Sequence, residues 1–310
     1  MYEEKIRYLK KVFPSSKLGR GGLELKVMCP KCGDRSRPDK IKLCVRLDKD
    51  LFHCWICDLK GRSVGRLIKM VNPSLVAGYY RKFGNFVYNS NESEQHIQAV
   101  LPLDFSILMN SLHDPDAKRI RRYAHSRGIF DIDLWRYRIG YAPSLRRRMV
   151  IPSFDEQGIL NYWTARAIDD STHRKYHNAS IPKTQFIVNE IDMDWKAEEV
   201  FIVEGPLDLI KCGSINATCL LGSSLSEEAE LFRKLVMYPE RIVLGLDHDA
   251  WKSQDKIAKK LLAYDKEVWM VKAPDGLDWG DMDPEEVFKC YNNREQYKQD
   301  STLLRMINKL

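Results

Sequence analysis

Val200-Phe201-Ile202-Val203-Glu204-Gly205-Pro206-Leu207-Asp208 and Arg241-Ile242-Val243-Leu244-Gly245-Leu246-Asp247-His248-Asp249 each open on a short apolar run and stop at carboxylates. Such runs are buried strands of a parallel sheet, and ligands gather beyond the carboxyl ends of those strands. The chain around them alternates in the same manner. Glu199 to Val203 predicts a strand, and Pro206 to Cys212 a helix that Gly213 closes. Ala217 to Leu221 predicts a second strand, turned by Gly222-Ser223-Ser224. Ser226, with acids from Glu227 to Glu230, predicts a helix that opens there and reaches about Tyr238. Arg241 to Leu246 is a third strand, Ser253 to Tyr264 a helix, and Val268 to Val271 a fourth strand. The alternation implies a parallel sheet with helices on both faces.

Glu204 and the Asp247/Asp249 pair then fall just beyond strands one and three. Asp247 and Asp249 are two apart, so an extended backbone points them the same way. Asp208 faces back from the first helical turn, and Asp278 and Asp281 follow the fourth strand. Clustered carboxylates repel unless cations neutralise them. Mg²⁺ takes one or two carboxylates together with water and substrate phosphates. Two such ions would activate an attacking hydroxyl and stabilise a leaving pyrophosphate. Acids at strand ends are common in α/β domains, and a lone Asp-x-Asp would be weak; the ordered set with Glu204-Gly205 is stronger.

Upstream, residues 116–128 predict a helix ending at Gly128, with Ile120, Tyr123 and Ala124 inward, and 131–137 a further turn. Three arginines, Arg146 to Arg148, precede a strand from Met149 to Phe154. Asp155-Glu156-Gln157-Gly158 turns into a returning strand from Ile159 to Ala167. The basic residues here suit phosphates of a nucleotide or a template. His173 and His177 are four apart in loop composition, which favours solvated histidines over a metal pair.

Nearer the N-terminus, residues 3–13 predict an amphipathic helix with Ile6, Leu9 and Val12 on one face. Cys29-Pro30-Lys31-Cys32 and Cys54-Trp55-Ile56-Cys57 then form two C-x2-C pairs with 21 residues between them. A tight turn points both thiolates of each pair at one ion, and four thiolates suit tetrahedral Zn²⁺. The alternatives are chance pairs or a redox motif. Residues 40–47 alternate as a half-exposed strand, with Asp48-Lys49 turning a hairpin; a ribbon this small needs its metal. Cys44 lies outside both pairs, and His53 adjoins a shell already filled. Lys31, Arg35, Arg37, Lys40, Lys42 and Arg46, with Phe52 and Trp55, read either as a basic, aromatic face for single-stranded bases or as a solvated surface over a small core.

The charge balance agrees with this layout. Residues 1–75 carry 18 Lys/Arg against 8 Asp/Glu, while residues 191–310 carry 16 against 23. A basic first part fits a polyanion and an acidic last part suits metal ions; the alternative is that solubility alone sets these charges. No apolar run approaches membrane-span length and no signal peptide is visible, which implies a cytoplasmic protein without a membrane partner. Eight cysteines in that setting point to metal or buried thiols before disulfides.

Glu204-Gly205 with Asp208, Asp247-His248-Asp249, and Asp278 with Asp281 resemble the TOPRIM domain of bacterial-type primases, topoisomerases and related nucleases. Leu221-Gly222-Ser223-Ser224-Leu225 resembles the primase version. Arg138-Ile139-Gly140-Tyr141-Ala142-Pro143, Met149-Val150-Ile151-Pro152, Thr164-Ala165-Arg166 and Lys175-Tyr176-His177-Asn178 resemble the basic subdomain that precedes TOPRIM in bacterial-type DNA primases. Phe52-His53-Cys54-Trp55-Ile56-Cys57, followed by Gly61, resembles their zinc-binding domain. The resemblance implies an enzyme that makes short RNA primers on single-stranded DNA from ribonucleoside triphosphates, with a replicative helicase as partner. By it, Glu204, Asp247 and Asp249 are the catalytic and metal-binding acids. Asp208, Asp278 and Asp281 support Mg²⁺ (or Mn²⁺, two or more ions) or the incoming triphosphate. Arg148, Arg166, Lys175, Asn178 and Lys183 line the template and nucleotide groove. Cys29, Cys32, Cys54 and Cys57 hold one structural zinc.

The fold expected is multi-domain α/β. A zinc ribbon spans 1–75, a linker 76–98, a mixed α+β basic subdomain 99–195, the parallel TOPRIM-like sheet 196–283 and a helical tail 284–310. The polar run 89–96 marks the linker. Three departures stand out: Cys32 where many members have histidine, the third acidic motif spelled Asp278-Trp279-Gly280-Asp281, and an end at Leu310 that resembles the compact primases of bacteriophages and would put the protein in the host cytoplasm. The tail reads equally as a docking element or as packing. A TOPRIM nuclease or topoisomerase, and a non-enzymatic single-strand-binding scaffold, are the competing readings; too little chain remains for a topoisomerase's tyrosine domain, and intact Glu204, Asp247 and Asp249 argue against a scaffold.

Overall fold

The computed structural model describes residues 2–19, 21–33, 41–61, 63–83, 98–170, 174–274 and 276–298. Arg35, Arg37, Lys40, the polar run 89–96, His173 and the tail beyond residue 298 lie outside them. The chain forms two compact units, Met1–Glu94 with Leu261–Asp265, and Gln95–Lys260 with Lys266–Leu310.

The first unit runs α1 (Glu3–Val12), β1 (Lys17–Leu18), β2 (Glu24–Val27), β3 (Leu43–Arg46), β4 (Leu51–Cys54), β5 (Lys60–Gly61), α2 (Val64–Lys69) and α3 (Leu75–Phe83). Its strands form one antiparallel sheet in chain order. Leu25, Val27, Leu43, Val45, Phe52 and Cys54 point inward, as strand alternation requires. In α1 it is Lys5, rather than Ile6, that joins Leu9 and Val12 in the interior. Lys5 Nζ donates to the Leu47 carbonyl at 2.8 Å and meets Asp50 at 3.0 Å. Asp50, at a left-handed φ of 53°, also accepts from the Val64 amide at 3.0 Å and from the Tyr79 hydroxyl. A buried ammonium is tolerated here because a carboxylate and a carbonyl satisfy it. Residues 76–83, expected as linker, instead continue α3, whose Val76, Tyr79 and Tyr80 are buried. Tyr8 bonds the Leu75 carbonyl and packs its ring on Tyr79 and Phe83.

The second unit begins with β6 (Ser106–Ile107), α4 (Pro115–Ser126), α5 (Asp131–Arg136), β7 (Gly140–Tyr141), β8 (Arg148–Phe154), β9 (Leu160–Ala167) and β10 (Tyr176–Asn178). Asp114 caps α4 by accepting from the amides of Asp116 and Ala117, Pro115 sits in the first turn, and Gly128 takes φ +63° just past the end. The five strands form an antiparallel sheet in the order β10-β9-β8-β7-β6. There follow β11 (Glu199–Val203), α6 (Pro206–Lys211), β12 (Ala217–Cys219), α7 (Glu230–Met237), β13 (Arg241–Gly245), α8 (Trp251–Leu262), β14 (Glu267–Met270), α9 (Pro284–Asn292) and β15 (Glu295–Gln296). The second sheet of the unit is ordered β12-β11-β13-β14-β15, parallel except for β15.

Three expectations are corrected here. Helix α7 starts at Glu230, not Ser226, because Ser226 closes a turn: its carbonyl accepts from Ala229 and its hydroxyl from Glu228. The tail is not helical throughout. After α9 it returns as β15 along β14, and Tyr291 and Arg294 both bind Glu199 at the start of β11. Finally, no spatial division follows residue 195. Tyr162 of β9 stacks on Phe186 at 4.2 Å inside the core of the parallel sheet, with Phe201, Val203 and Trp279. Helix α6 sends Leu209 into that core and Leu207 and Ile210 into the core of α4 and α5.

Candidate metal and nucleotide site

In the first unit the two C-x2-C turns converge. The sulfurs of Cys29, Cys32, Cys54 and Cys57 all lie within 4.8 Å of one another, with Cys29–Cys57 at 3.7 Å and Cys32–Cys54 at 3.5 Å. Thiols this close cannot ionise independently. Burial raises the Cys54 thiol, but the amides of Cys57 and Ile56 and the neighbouring thiols outweigh it and bring it down to about 7. Cys32 is pushed well up, by its hydrogen bond to Cys57 and then by burial. A dication would let all four carry charge, so the donor set fits zinc. Beside it Trp55 is 72% and Ile56 61% exposed, whereas Phe52 is buried. The Trp55 ring leans edge-on against His53 at 4.4 Å, and its amide bonds the Lys42 carbonyl. Of the two aromatics read as stacking surfaces, only Trp55 is available to a base.

In the second unit β11 and β13 pair in parallel as far as Val203 and Gly245, so Glu204 and Asp247 leave the sheet side by side. Glu204 Oε2 and Asp247 Oδ1 are both buried and have no hydrogen-bond partner. Burial raises the Glu204 carboxyl, and Asp247 and Asp249 raise it further against the pull of Lys183. Asp247 is raised by burial, then by Asp278 and Asp249, and eased by Lys175. Asp208, in the first turn of α6, accepts from the Gly205 amide at 2.7 Å; burial and then Asp247 push it up to about 7, with Glu204 and Asp278 adding to the rise. Five acids, Glu204, Asp208, Asp247, Asp249 and Asp278, thus share one electrostatic neighbourhood. Two orphaned buried oxygens among them are what a hard divalent cation would satisfy, and the all-oxygen donor set fits Mg²⁺ or Mn²⁺.

Asp281 departs from the set. Its carboxylate pairs with Arg127, at the end of α4, at 2.7 Å. The turn Trp279–Asp281 nevertheless shapes the site: Trp279 is fully buried against Phe201, and a side chain at Gly280 would strike Asp208 at 2.9 Å. Asp278 stays exposed and faces the other acids electrostatically.

The basic residues also separate into two kinds. Arg148 is 9% exposed, and its guanidinium donates to the carbonyls of Ala165, Lys175 and Arg174. It secures β10 beside β9 instead of lining a groove. Arg166 is braced by the hydroxyls of Tyr123 at 2.7 Å and Tyr176 at 2.5 Å. Asn178 accepts from Thr164 at 2.6 Å. Lys175 and Lys183 are exposed, and they act on Asp247 and Glu204 respectively. Lys183 also donates to the Leu221 carbonyl, on the loop where Leu221 holds a left-handed φ of 53° and the Gly222 amide bonds the Glu204 carbonyl. His177 lies over Trp163 as a stacked, exposed ring. Arg127, Tyr123 and Tyr176 were not read as site residues; nothing in a linear pattern marks an arginine at a helix end as the partner of an acid far along the chain.

No family model matches the chain. A DNA primase of Lactococcus lactis subsp. lactis (strain IL1403) is 24% identical over 334 residues, covering 88% of this chain and 50% of the relative. The chain therefore spans about half the length of the curated relative it matches. Among solved structures, the zinc-binding and RNA polymerase domains of the Aquifex aeolicus primase superpose with a TM-score of 0.52 at 18% identity, over 94% of this chain and 83% of that one. A DnaG primase catalytic domain bound to single-stranded DNA gives 0.51 at 18% identity, over 60% and 75%. The Escherichia coli primase catalytic core gives 0.51 at 18%, over 60% and 76%. These likenesses show that the chain has the fold of the bacterial-type primases, as the motifs implied. No helix among the described residues is long and apolar enough to cross a membrane.

Proposed function

We propose that this chain is a DNA primase, a nucleotidyltransferase that makes short RNA primers on single-stranded DNA from ribonucleoside triphosphates. The observation that carries the reading is the pair of orphaned, buried carboxylate oxygens on Glu204 and Asp247, set in a primase fold beside Lys175 and Lys183. Glu204, Asp247 and Asp249 hold divalent metal, with Asp208 and Asp278 close enough to raise the local negative charge. Mg²⁺ or Mn²⁺ bound there would activate the attacking 3′-hydroxyl and neutralise the leaving pyrophosphate. Lys175 and Arg166 offer positive charge to the triphosphate and template, and Tyr123 and Tyr176 hold Arg166 in one orientation. Zinc at the four cysteines keeps the small antiparallel sheet folded and presents Trp55 to template bases. A replicative helicase is the partner and the cytoplasm the compartment that suit such an enzyme.

The test supplies single-stranded DNA, four ribonucleotides with one labelled, and Mg²⁺. Short labelled RNA is expected. DNA cleavage without RNA would identify a nuclease instead, and DNA binding with neither product would identify a scaffold. Asp247→Asn should abolish synthesis while leaving template affinity within about twofold, since neutralising an acid removes no cation from the template path.

A further inference from the structure

Strand β13 loses its neighbours just before the residue that matters most. Its pairing with β14 ends at Leu244, whose carbonyl takes the Val271 amide at 2.8 Å, and its pairing with β11 ends at Gly245. Leu246 is buried at 3% exposure, so its amide needs a partner that the sheet no longer provides. That partner is a side chain. Gln254, on α8 and 7% exposed, accepts from the Leu246 amide at 3.0 Å and donates to the Leu244 carbonyl at 3.1 Å. Its amide nitrogen also meets Met270 Sδ at 2.9 Å, from the neighbouring strand. Gln254 therefore extends the ladder by one more rung, and Asp247 is the next residue. On the far side the Ala250 amide holds the backbone at the Asp247 carbonyl, and the Asp247 amide meets the Glu204 carboxylate.

We propose that Gln254 is a positioning residue for the acid site: by closing the end of β13 it fixes the Asp247 carboxylate beside Glu204 in the arrangement that binds divalent metal. A primary carboxamide suits this task because one group offers both an acceptor for the N–H and a donor for the C=O, at strand-like spacing. An apolar residue of similar volume would fill the space and free the strand end to move. Outer partners of metal ligands commonly govern affinity by about 10–100-fold. The inference rests on reading the acids as a metal site, and not on which reaction follows.

The experiment measures Mn²⁺ binding to the full zinc-loaded chain by electron paramagnetic resonance, alongside melting and single-stranded DNA affinity. Gln254→Met should raise the Mn²⁺ dissociation constant about tenfold and leave DNA affinity unchanged. Gln254→Glu, which keeps the acceptor and loses the donor, should fall between Met and wild type, and it carries the test if the Met variant does not fold. Ile257→Ala, buried on the same helix and offering no polar group to the strand end, provides a destabilised control that should bind Mn²⁺ as wild type does. A folded Gln254 variant with wild-type Mn²⁺ binding overturns the proposal, as does an equal loss in Ile257→Ala. A wild-type chain that binds Mn²⁺ yet makes no primer removes the primase reading and leaves the role of Gln254 standing.

Discussion

Replacing Asp208 by asparagine should stabilise the Mg²⁺-free protein at pH 8. Burial and the neighbouring acids push this carboxyl up to about 7, from 3.8 in an unfolded chain. Between those values the folded state holds a proton that the unfolded state has released. Stability from this group is therefore greatest at low pH and is lost as pH rises from about 4 to about 7; above 7 the folded state carries the whole cost of an ionised carboxylate. About three pH units at ~1.36 kcal/mol each come to about 4 kcal/mol. Asp208 keeps a partly solvated edge, so about half, some 2 kcal/mol, is the working expectation. For a unit of this size that is a rise in Tm of about 4–8 °C for Asp208→Asn at pH 8. Asparagine retains an oxygen for the Gly205 amide, so the helix start is not disturbed. At pH 5 the gain should shrink to less than half. Added Mg²⁺ should raise the wild-type Tm at pH 8 and move the variant much less. Calorimetry on zinc-loaded protein reads all of this, in buffer without Mg²⁺ and without a chelator that would strip the cysteine site. A variant that melts at or below wild type at both pH values would refute the claim that the acids oppose one another in the fold.

Asp278→Asn should weaken Mn²⁺ binding about tenfold, whereas Asp281→Asn should leave it within about twofold and lower Tm by unpairing Arg127. Equal effects of the two on metal would return Asp281 to the acid cluster. Cys54→Ser should release zinc, read by atomic absorption, and unfold the small antiparallel sheet; one zinc per chain retained in this variant would show that the ligand set is wrong. Trp55→Ala, at a site 72% exposed, should leave Tm unchanged and cost about 1–3 kcal/mol of template affinity at fixed salt. Unaltered affinity would mean that the ring does not stack on bases.

What could be read from sequence was whatever repeats with a strand or helix period or fixes a metal by spacing. The runs before Glu204 and Asp247 are apolar and β-branched because both faces of β11 and β13 are covered, and burial leaves that mark in any sequence. The two C-x2-C pairs are legible because a turn geometry sets their spacing. By contrast, β15 consists of Glu295 and Gln296, both exposed, and exists only because β14 offers an edge for pairing. Lys5 entered the interior because Asp50 and the Leu47 carbonyl await it there, and neither is near it in the chain. Arg148 and Arg166 read alike in the motifs. Only the folded chain separates an arginine spent on backbone carbonyls from one braced by two tyrosines. The same limit hid the split between Asp278 and Asp281, since nothing but the end of α4 decides which acid finds Arg127.

Glu199 starts the interior strand β11, and two of its partners, Tyr291 and Arg294, lie 92 and 95 residues further along. A ribosome adding ~5–20 residues per second delivers them about 5–20 s after Glu199 itself. The antiparallel sheet β6–β10 has all its strands once Asn178 has emerged, so it can close while synthesis continues. The parallel sheet must wait, with Glu199 held by Arg241 but still short of Tyr291 and Arg294, and the edge of β14 open until β15 arrives. Translation order thus makes the sheet that carries the acids the last of the three described sheets to be completed, after the cysteine turns and the strands bearing Arg166 and Asn178 are already in hand.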